Sequence, residues 1–325
     1  MGKNLITGGL GFLGASLAKR LLEEDEEVVV FDILSDLRNV KDIRDIVKIV
    51  RGDISNLSEV FDVVKDNDID CMYHLAAILT DACEVRPQLA YAVNIGGTFN
   101  VLEAARLFNV GTVIFSSSIG TYGPSVPPII NEDVAQFPTS MYGVTKIAGE
   151  RLGEYYYSKY GINFRAVRFP ALIGVGRATG ISRYPSLIIQ EPALGHKYRA
   201  YVDESARLPF MSVKDAAQAL FDLRHADESN LKRRVYNLGG FSPTARQEAD
   251  IVKEYLPQAQ IEFHPDETAM RIINDMPKEV DDTRASQEWG FQHNSRLDEA
   301  IEDFIFEVRA NRNSRKYPRR ASSSP

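Results

Sequence analysis

The chain has 325 residues, 44% hydrophobic and 26% charged, the make-up of an ordinary globular protein with room for a sizeable core. Its net charge is −7; without the stretch from Arg309 to Pro325, which holds six basic residues and no acid, 32 bases face 45 acids, or −13, a body poorly matched to nucleic acid. No apolar run approaches a membrane span and no signal peptide precedes the first strand, so a cytoplasmic protein with no membrane partner is expected.

The first element is a short apolar strand, Asn4-Leu5-Ile6. It runs into Thr7-Gly8-Gly9-Leu10-Gly11-Phe12-Leu13-Gly14 and then into a helical pattern with Leu13, Leu17 and Leu21 on one face. Strand, glycine turn and helix in that order make a phosphate site, because a helix N-terminus presents unpaired N–H groups and a partial positive charge. Gly8 permits the tight turn, Gly11 lets backbone approach a pyrophosphate, and Gly14 lets helix pack close on strand. A second strand, Glu27-Val28-Val29-Val30-Phe31, ends in Asp32. That carboxylate is placed to accept from an adenosine ribose and would repel a 2′-phosphate, so NAD is expected rather than NADP.

A third strand, Ile46 to Val50, leads into Gly52-Asp53-Ile54. Asp53 reads either as a ligand contact at the carboxyl edge of the sheet or as an N-cap for a helix from Leu57 to Val64, a role Ser55 or Asn56 fills equally well. The strand Cys71 to Leu75 exits through Ala76-Ala77-Ile78, small residues against which a cofactor can lie. His74 reads as structural. Cys71 and Cys83 are the only cysteines, and the five histidines show no ligand spacing, so neither a disulfide framework nor a metal is expected. A long helix from Pro87 to Phe108 carries Asn94, whose amide needs a partner: a neighbouring strand or a catalytic water.

Next come the strand Thr112 to Phe115, tipped by Ser116-Ser117-Ser118, a loop with four prolines, a helix from Ser140 to Tyr160 and the strand Phe164 to Arg168. This alternation predicts an α/β fold, a doubly wound parallel sheet with helices on both faces. Beyond Pro170 the pattern loosens into loop-rich stretches at 174–207 and 235–282, with a helix from Val213 to Leu223 between them. The expected organisation is a dinucleotide-binding domain over 1–170, its sheet completed by segments near 207–240. A discontinuous substrate lobe over 171–308 and a basic, disordered tail over 309–325 complete it.

The reactive constellation is Tyr142-Gly-Val-Thr-Lys146 preceded by Ser118. The i, i+4 spacing puts Tyr142 and Lys146 on one helix face. A free tyrosine, with a pKa of about 10, is a poor base at neutral pH; an adjacent ammonium favours its phenolate. Ser118 is then placed to donate to a substrate oxygen while Tyr142 moves the proton.

The glycine turn, Asp32, Gly52-Asp53, His74-Leu-Ala-Ala, Val93-Asn94, Phe115-Ser-Ser-Ser and Y-x-x-x-K together resemble the extended branch of the short-chain dehydrogenase/reductase superfamily. The likeness covers most of the chain through Leu223 and implies a seven-stranded Rossmann sheet with a small C-terminal substrate lobe. It implies NAD held by Gly8, Gly11, Phe12, Leu13, Gly14 and Asp32; by Asp53, Ile54, Leu75, Ala76 and Ala77; by Asn94, Ser116, Tyr142 and Lys146; and by Phe169 and Leu172. Ser118, Tyr142 and Lys146 are the implied catalytic residues.

Within that branch, Pro170 stands where sugar-nucleotide epimerases typically have an asparagine. Gly149 to Tyr157, Arg207 to Met211 and Asp281 to Ala285 are similar to short-chain L-threonine 3-dehydrogenases. That resemblance implies oxidation of a small amino or hydroxy acid at its β-hydroxyl, with Thr80, Ser118, Tyr142, Gly180, Ser182 and Arg183 at the substrate. The lid departs from the pattern: Gly180-Ile181-Ser182-Arg183-Tyr184 replaces Gly-Thr-Thr-Asp-Tyr, so a hydroxyl is lost and an acid becomes a base. Arg183 reads as a clamp for carboxylate or phosphate or as a surface ion-pair partner. Ile188 to Pro192 also resembles erythronate-type hydroxy-acid dehydrogenases. A sugar-nucleotide epimerase or dehydratase stays open as the alternative, as does a homodimer as the assembly.

Overall fold

A computed structural model describes residues 2–124, 126–176 and 180–316, with side chains described through Arg312. Seven parallel strands make the central sheet: β1 (Lys3–Thr7), β2 (Glu27–Asp32), β3 (Lys48–Arg51), β4 (Cys71–His74), β5 (Thr112–Ser118), β6 (Asn163–Phe169) and β7 (Val235–Asn237). Their order across the sheet is 7-6-5-4-1-2-3, so the chain reverses direction between β1 and β4. Ligands of such sheets collect outside the carboxyl ends of the strands at that reversal.

Alternation along the strands divides the core in two. Val28 and Val30 face α1 (Phe12–Leu22), where Leu17 and Leu21 are fully buried against Ala216 and Leu220 of a helix entering from the second half of the chain. Val29 and Phe31 face the opposite layer, formed by α2 (Leu57–Lys65), α3 (Gly97–Leu107) and α4 (Met141–Tyr160). Each such buried aliphatic side chain contributes roughly 1.5–3 kcal/mol. In α4, a Cβ on Gly149 would lie 2.5 Å from the Phe115 ring and one on Gly153 2.1 Å from the Phe164 ring, so this helix sits closer to the sheet than a bulkier residue would allow.

The expected helix from Pro87 to Phe108 is helical from Pro87 to Leu107 but carries a π-bulge in its middle. A helical turn Pro87–Ala90 gives way to a π-helical stretch, Tyr91–Gly96, before α3 begins. Such bulges insert one residue per turn and gather at functional sites; this one carries Asn94.

The second half is more regular than its sequence suggests. The stretch expected to be loop-rich holds α5 (Tyr184–Ala193) before α6 (Val213–His225), and α7 (Ala245–Tyr255) after it. α7 opens on a capping box, Thr244 with Gln247. With α8 (Leu297–Lys316), α5 and α7 enclose a third core around Ile188, Val252, Ile301 and Phe304, while α6 packs on α1. α8 runs through Arg309 to Lys316, where a structureless tail was expected; it continues because Ile301, Phe304, Ile305 and Val308 anchor one face in that core. Residues 317–325 of that expected tail lie outside the described residues. No helix among the described residues is long and apolar enough to cross a membrane.

Candidate active site

The glycine turn closes on itself and on the neighbouring strand. Gly8 has φ +72°, and a Cβ there would lie 2.9 Å from the Ala76 backbone, so turn and β4 exit are in direct contact. A Cβ on Gly14 would lie 2.4 Å from the Gly8 carbonyl oxygen. Gly11 begins α1 with no side-chain cap, and no acid occupies the first turn. The first N–H groups of α1, at Phe12 and Leu13, therefore face an open cradle suited to a pyrophosphate. The Phe12 ring itself turns away, against Gly174.

Asp32 is buried at the tip of β2. Its two carboxylate oxygens accept from the backbone N–H groups of Leu10 (2.9 Å) and Leu34 (2.9 Å), so it shapes the turn. A carboxylate keeps further lone pairs for a ribose. The nearest downstream base, Arg38, is engaged with Asp36 at 2.6 Å. Asn39, which sequence reasoning passed over, donates to the Leu10 carbonyl at 3.0 Å. Asp53 is not the helix cap; Asn56 is, and the Asp53 carboxylate accepts from the Ser55 N–H and hydroxyl. Ile54 is buried against Gly97 and its carbonyl accepts from Asn100.

Beyond β4, Leu75, Ala76 and Ala77 are half-buried. They are braced by a buried chain of hydrogen bonds. Thr98 Oγ1 donates to the Asn94 carbonyl (2.6 Å), so it accepts from His74 Nε2 (2.9 Å), which leaves Nδ1 to accept from Thr7 Oγ1 (2.8 Å). Burial, reinforced by Lys146, lowers the His74 pKa to about 3, so the ring stays neutral and structural. Asn94 reads the Ile78 backbone on both sides: Oδ1 accepts from its N–H (2.9 Å) and Nδ2 donates to its carbonyl (3.1 Å). Nδ2 also donates to Thr145 of α4 at 3.0 Å. Asn94 thus ties the β4 exit to the helix of Tyr142; its amide is held by protein.

Ser118 ends β5, and its Oγ accepts from the Gly120 N–H at 3.1 Å, leaving the hydroxyl proton for another acceptor. A Cβ on Gly120 would lie 3.4 Å from Ser118 Oγ and 3.8 Å from the Tyr142 ring; both flank that one glycine. Ser140 caps α4, and Glu84 accepts from the Met141 N–H, aiming the first turn that carries Tyr142. Lys146 is buried, with Nζ donating to the Ser116 carbonyl at 2.6 Å and lying 5.6 Å from the centre of the Tyr142 ring. Burial lowers its pKa to about 8, opposed by Cys83 and Glu150. It therefore remains largely protonated at neutral pH.

The remaining expected residues are more scattered. Phe169 is buried at the end of β6, in register with Ser118, and Leu172 lies in the short strand Ala171–Ile173. Thr80 is exposed at the start of the helix Thr80–Val85. Gly180, with φ +101°, Ser182 and Arg183 lead into α5, where Tyr201 donates to the Ile181 carbonyl at 2.6 Å. No group of three or more His, Cys, Asp or Glu among the described residues is arranged to hold a metal.

The chain is 33% identical over 297 residues to an uncharacterized epimerase/dehydratase of Staphylococcus aureus, covering 90% of this chain and 92% of that one. Among solved structures, the L-threonine dehydrogenase of Clostridium difficile superposes with a TM-score of 0.89 at 31% identity, covering 96% and 98% of the two chains. The holo form of the Cupriavidus necator L-threonine dehydrogenase gives 0.88 at 31%, covering 94% and 99%. A UDP-glucose 4-epimerase from Thermotoga maritima gives 0.82 at 23%, with 95% and 99% covered, a likeness of fold alone. The model of the NAD dependent epimerase/dehydratase family matches residues 4–239. The chain belongs to that family and is an NAD-dependent enzyme of the extended short-chain dehydrogenase type.

Proposed function

We propose that the protein oxidises the secondary hydroxyl of a small amino or hydroxy acid with NAD, L-threonine being the first candidate. The observation that carries this reading is the convergence of Ser118 and Tyr142 on Gly120, with Lys146 buried one turn below. The glycine cradle, Asp32 and the half-buried chain at Leu75 to Ala77 suit a dinucleotide, with Lys146 at the nicotinamide ribose. NAD, when bound, supplies the hydride acceptor. The Ser118 hydroxyl donates to the substrate oxygen and holds it toward Tyr142. The Tyr142 phenolate takes the hydroxyl proton, favoured as an anion by the Lys146 ammonium. Lys146 spends one of its three donors on the Ser116 carbonyl and keeps two for a ribose.

Threonine is favoured by the L-threonine dehydrogenases whose structures are about 31% identical over nearly the whole chain. Arg183 favours a carboxylate-rich substrate: compared with the matching dehydrogenases, the change from acid to base removes a partner for an ammonium and adds a planar fork for two oxygens. A sugar-nucleotide epimerase or dehydratase uses the same groups but returns the hydride within each turnover. Incubation with NAD and L-threonine, other β-hydroxy acids and UDP-sugars separates the readings. Net NADH formation from a small acid supports the dehydrogenase, and conversion of a UDP-sugar without net NADH supports the alternative.

A further inference from the structure

Three consecutive serines end β5, and three successive turns of α4 meet them. Tyr142 flanks Gly120 together with Ser118; Lys146 donates to the Ser116 carbonyl; and Glu150, one turn further on, accepts from the Ser117 hydroxyl at 2.5 Å. Glu150 is fully buried. Its carboxylate also takes the Arg168 guanidinium in a two-pronged pair, Nε at 2.9 Å and Nη2 at 2.8 Å, and accepts from Gln136 at 3.1 Å. Arg168 lies at the end of β6, beside β5, and donates onward to the Tyr122 hydroxyl at 2.7 Å. The Phe115 ring, on the same strand face as Ser117, sits where a side chain on Gly149 would be, which lets Glu150 reach the strand. Serine 117 and glutamate 150 carry no role in the chemistry described above, yet they join the two elements that hold every reacting group.

We propose that Glu150 is a positioning residue: by clamping Ser117 of β5 and Arg168 of β6 to the third turn of α4, it sets the separation of Ser118 from Tyr142 and Lys146. The proposal rests on the dehydrogenase reading above. A buried carboxylate that is bonded on both oxygens to two strands has few arrangements available, so the helix register it fixes is shared by Tyr142 and Lys146 on the same face. It has an electrostatic corollary. The groups facing Lys146 are Cys83 from the helix Thr80–Val85, His74 from β4, and Tyr142 and Glu150 on its own helix. His74 is neutral and burial holds the Cys83 thiol above its ordinary value, so the Glu150 carboxylate, itself paired with Arg168, is the negative group that supports the Lys146 ammonium.

The test uses the full chain with no substrate for its first arm. NADH affinity, followed by nucleotide fluorescence, is expected to fall as pH rises through the Lys146 pKa of about 8. In Glu150→Gln, removal of the charge lets Lys146 lose its proton sooner, so the midpoint moves down by about half a pH unit or more. A purely structural clamp would change the affinity without moving the midpoint. Ser117→Ala, which leaves the Glu150–Arg168 pair intact, is expected to lower kcat about tenfold with little change in KM for NAD, as misplaced reacting groups do. A parent-like midpoint with lowered kcat in folded Glu150→Gln defeats the electrostatic corollary alone; parent-like kcat in that variant, or in Ser117→Ala where Glu150→Gln does not fold, overturns the proposal. Tyr142→Phe separates the two levels: absence of net NADH from any small acid in the parent defeats the dehydrogenase reading, turnover surviving in Tyr142→Phe removes Tyr142 from the chemistry, and loss of turnover in Tyr142→Phe beside parent-like Glu150 and Ser117 variants defeats only the positioning role.

Discussion

The carboxyl ends of the first-half strands and the second-half lobe treat buried polar groups differently, although elsewhere in the first half Asn4 Oδ1 and the Tyr73 hydroxyl also lack a partner among the described residues. Along the strand ends of the first half, Thr7, Asp32, His74, Asn94 and Glu150 are buried and each is bonded to named partners on another element. In the lobe, Glu248 on α7, Tyr198 and Ser186 are equally buried, yet Glu248 Oε1, the Tyr198 hydroxyl and Ser186 Oγ have no partner among the described residues. A satisfied polar group specifies one arrangement, whereas an apolar core with a few loose polar groups tolerates several. The bonded strand ends are fixed in one arrangement, which is what the proposed dinucleotide site requires; the lobe core around Glu248, Tyr198 and Ser186 is less constrained.

Tyr142→Phe tests the specified side hardest. Turnover is expected to fall about a hundredfold to ten-thousandfold, with NADH binding nearly intact, because only the proton-carrying hydroxyl is removed. Steady-state rates and fluorescence titration read the two effects separately; activity within a few-fold of the parent removes Tyr142 from the mechanism.

Arg183 tests the adaptable side. Arg183→Lys and Arg183→Ala are expected to lower kcat/KM by about one to two decades, equivalent to roughly 1.5–3 kcal/mol, while NAD affinity stays close to the parent. Parent-like kinetics in both variants would make Arg183 a surface ion-pair residue.

Gly14→Ala places a methyl group 2.4 Å from the Gly8 carbonyl oxygen, and a loss of about 1–3 kcal/mol in unfolding free energy, with weakened NAD binding, is expected. Unchanged denaturation and nucleotide affinity would mean that the turn yields as easily as the lobe does. Asp32→Ala removes both an acceptor for two backbone N–H groups and the repulsion of a 2′-phosphate, so the preference for NAD over NADP is expected to narrow by about tenfold. An unchanged ratio of efficiencies would take Asp32 away from the ribose.

The smallest effect is expected in the lobe. Burial raises the Glu248 pKa well above the ordinary carboxylate value, which favours its protonated form. Glu248→Gln, which keeps the shape and matches that protonated form, is expected to change stability by less than about 1 kcal/mol in chemical denaturation. A larger loss would show the lobe core to be as tightly specified as the bonded strand ends.

The same contrast governs what the sequence discloses. The strands of the first half are short apolar runs bounded by glycine or a single acid, as at Val28 to Asp32, and periodicity alone finds them. The π-helical stretch at Tyr91–Gly96 is invisible to that reading, and the Asn94 bonds it carries, to Ile78 and Thr145, join residues far apart in the sequence. In the lobe, α5 carries Pro185 in its first turn and Pro192 inside it, and most of its residues are buried, so no polar stripe marks it as a helix. α7 does announce itself, through the capping box at Thr244 and Gln247, a local signal that the looser pattern around it obscured. The i, i+4 pair of Tyr142 and Lys146 is legible in one dimension. Its continuation to Glu150 is not, since nothing in the linear order joins that glutamate to Ser117 or Arg168.

The most direct test of the proposed chemistry is nucleotide absorbance during incubation of the protein with NAD and a panel of small β-hydroxy acids, L-threonine among them, and UDP-sugars. Net NADH accumulation with at least one small acid, absent in Tyr142→Phe, is the predicted result. No net NADH from any acid, together with stereochemical inversion or dehydration of a UDP-sugar, would contradict it.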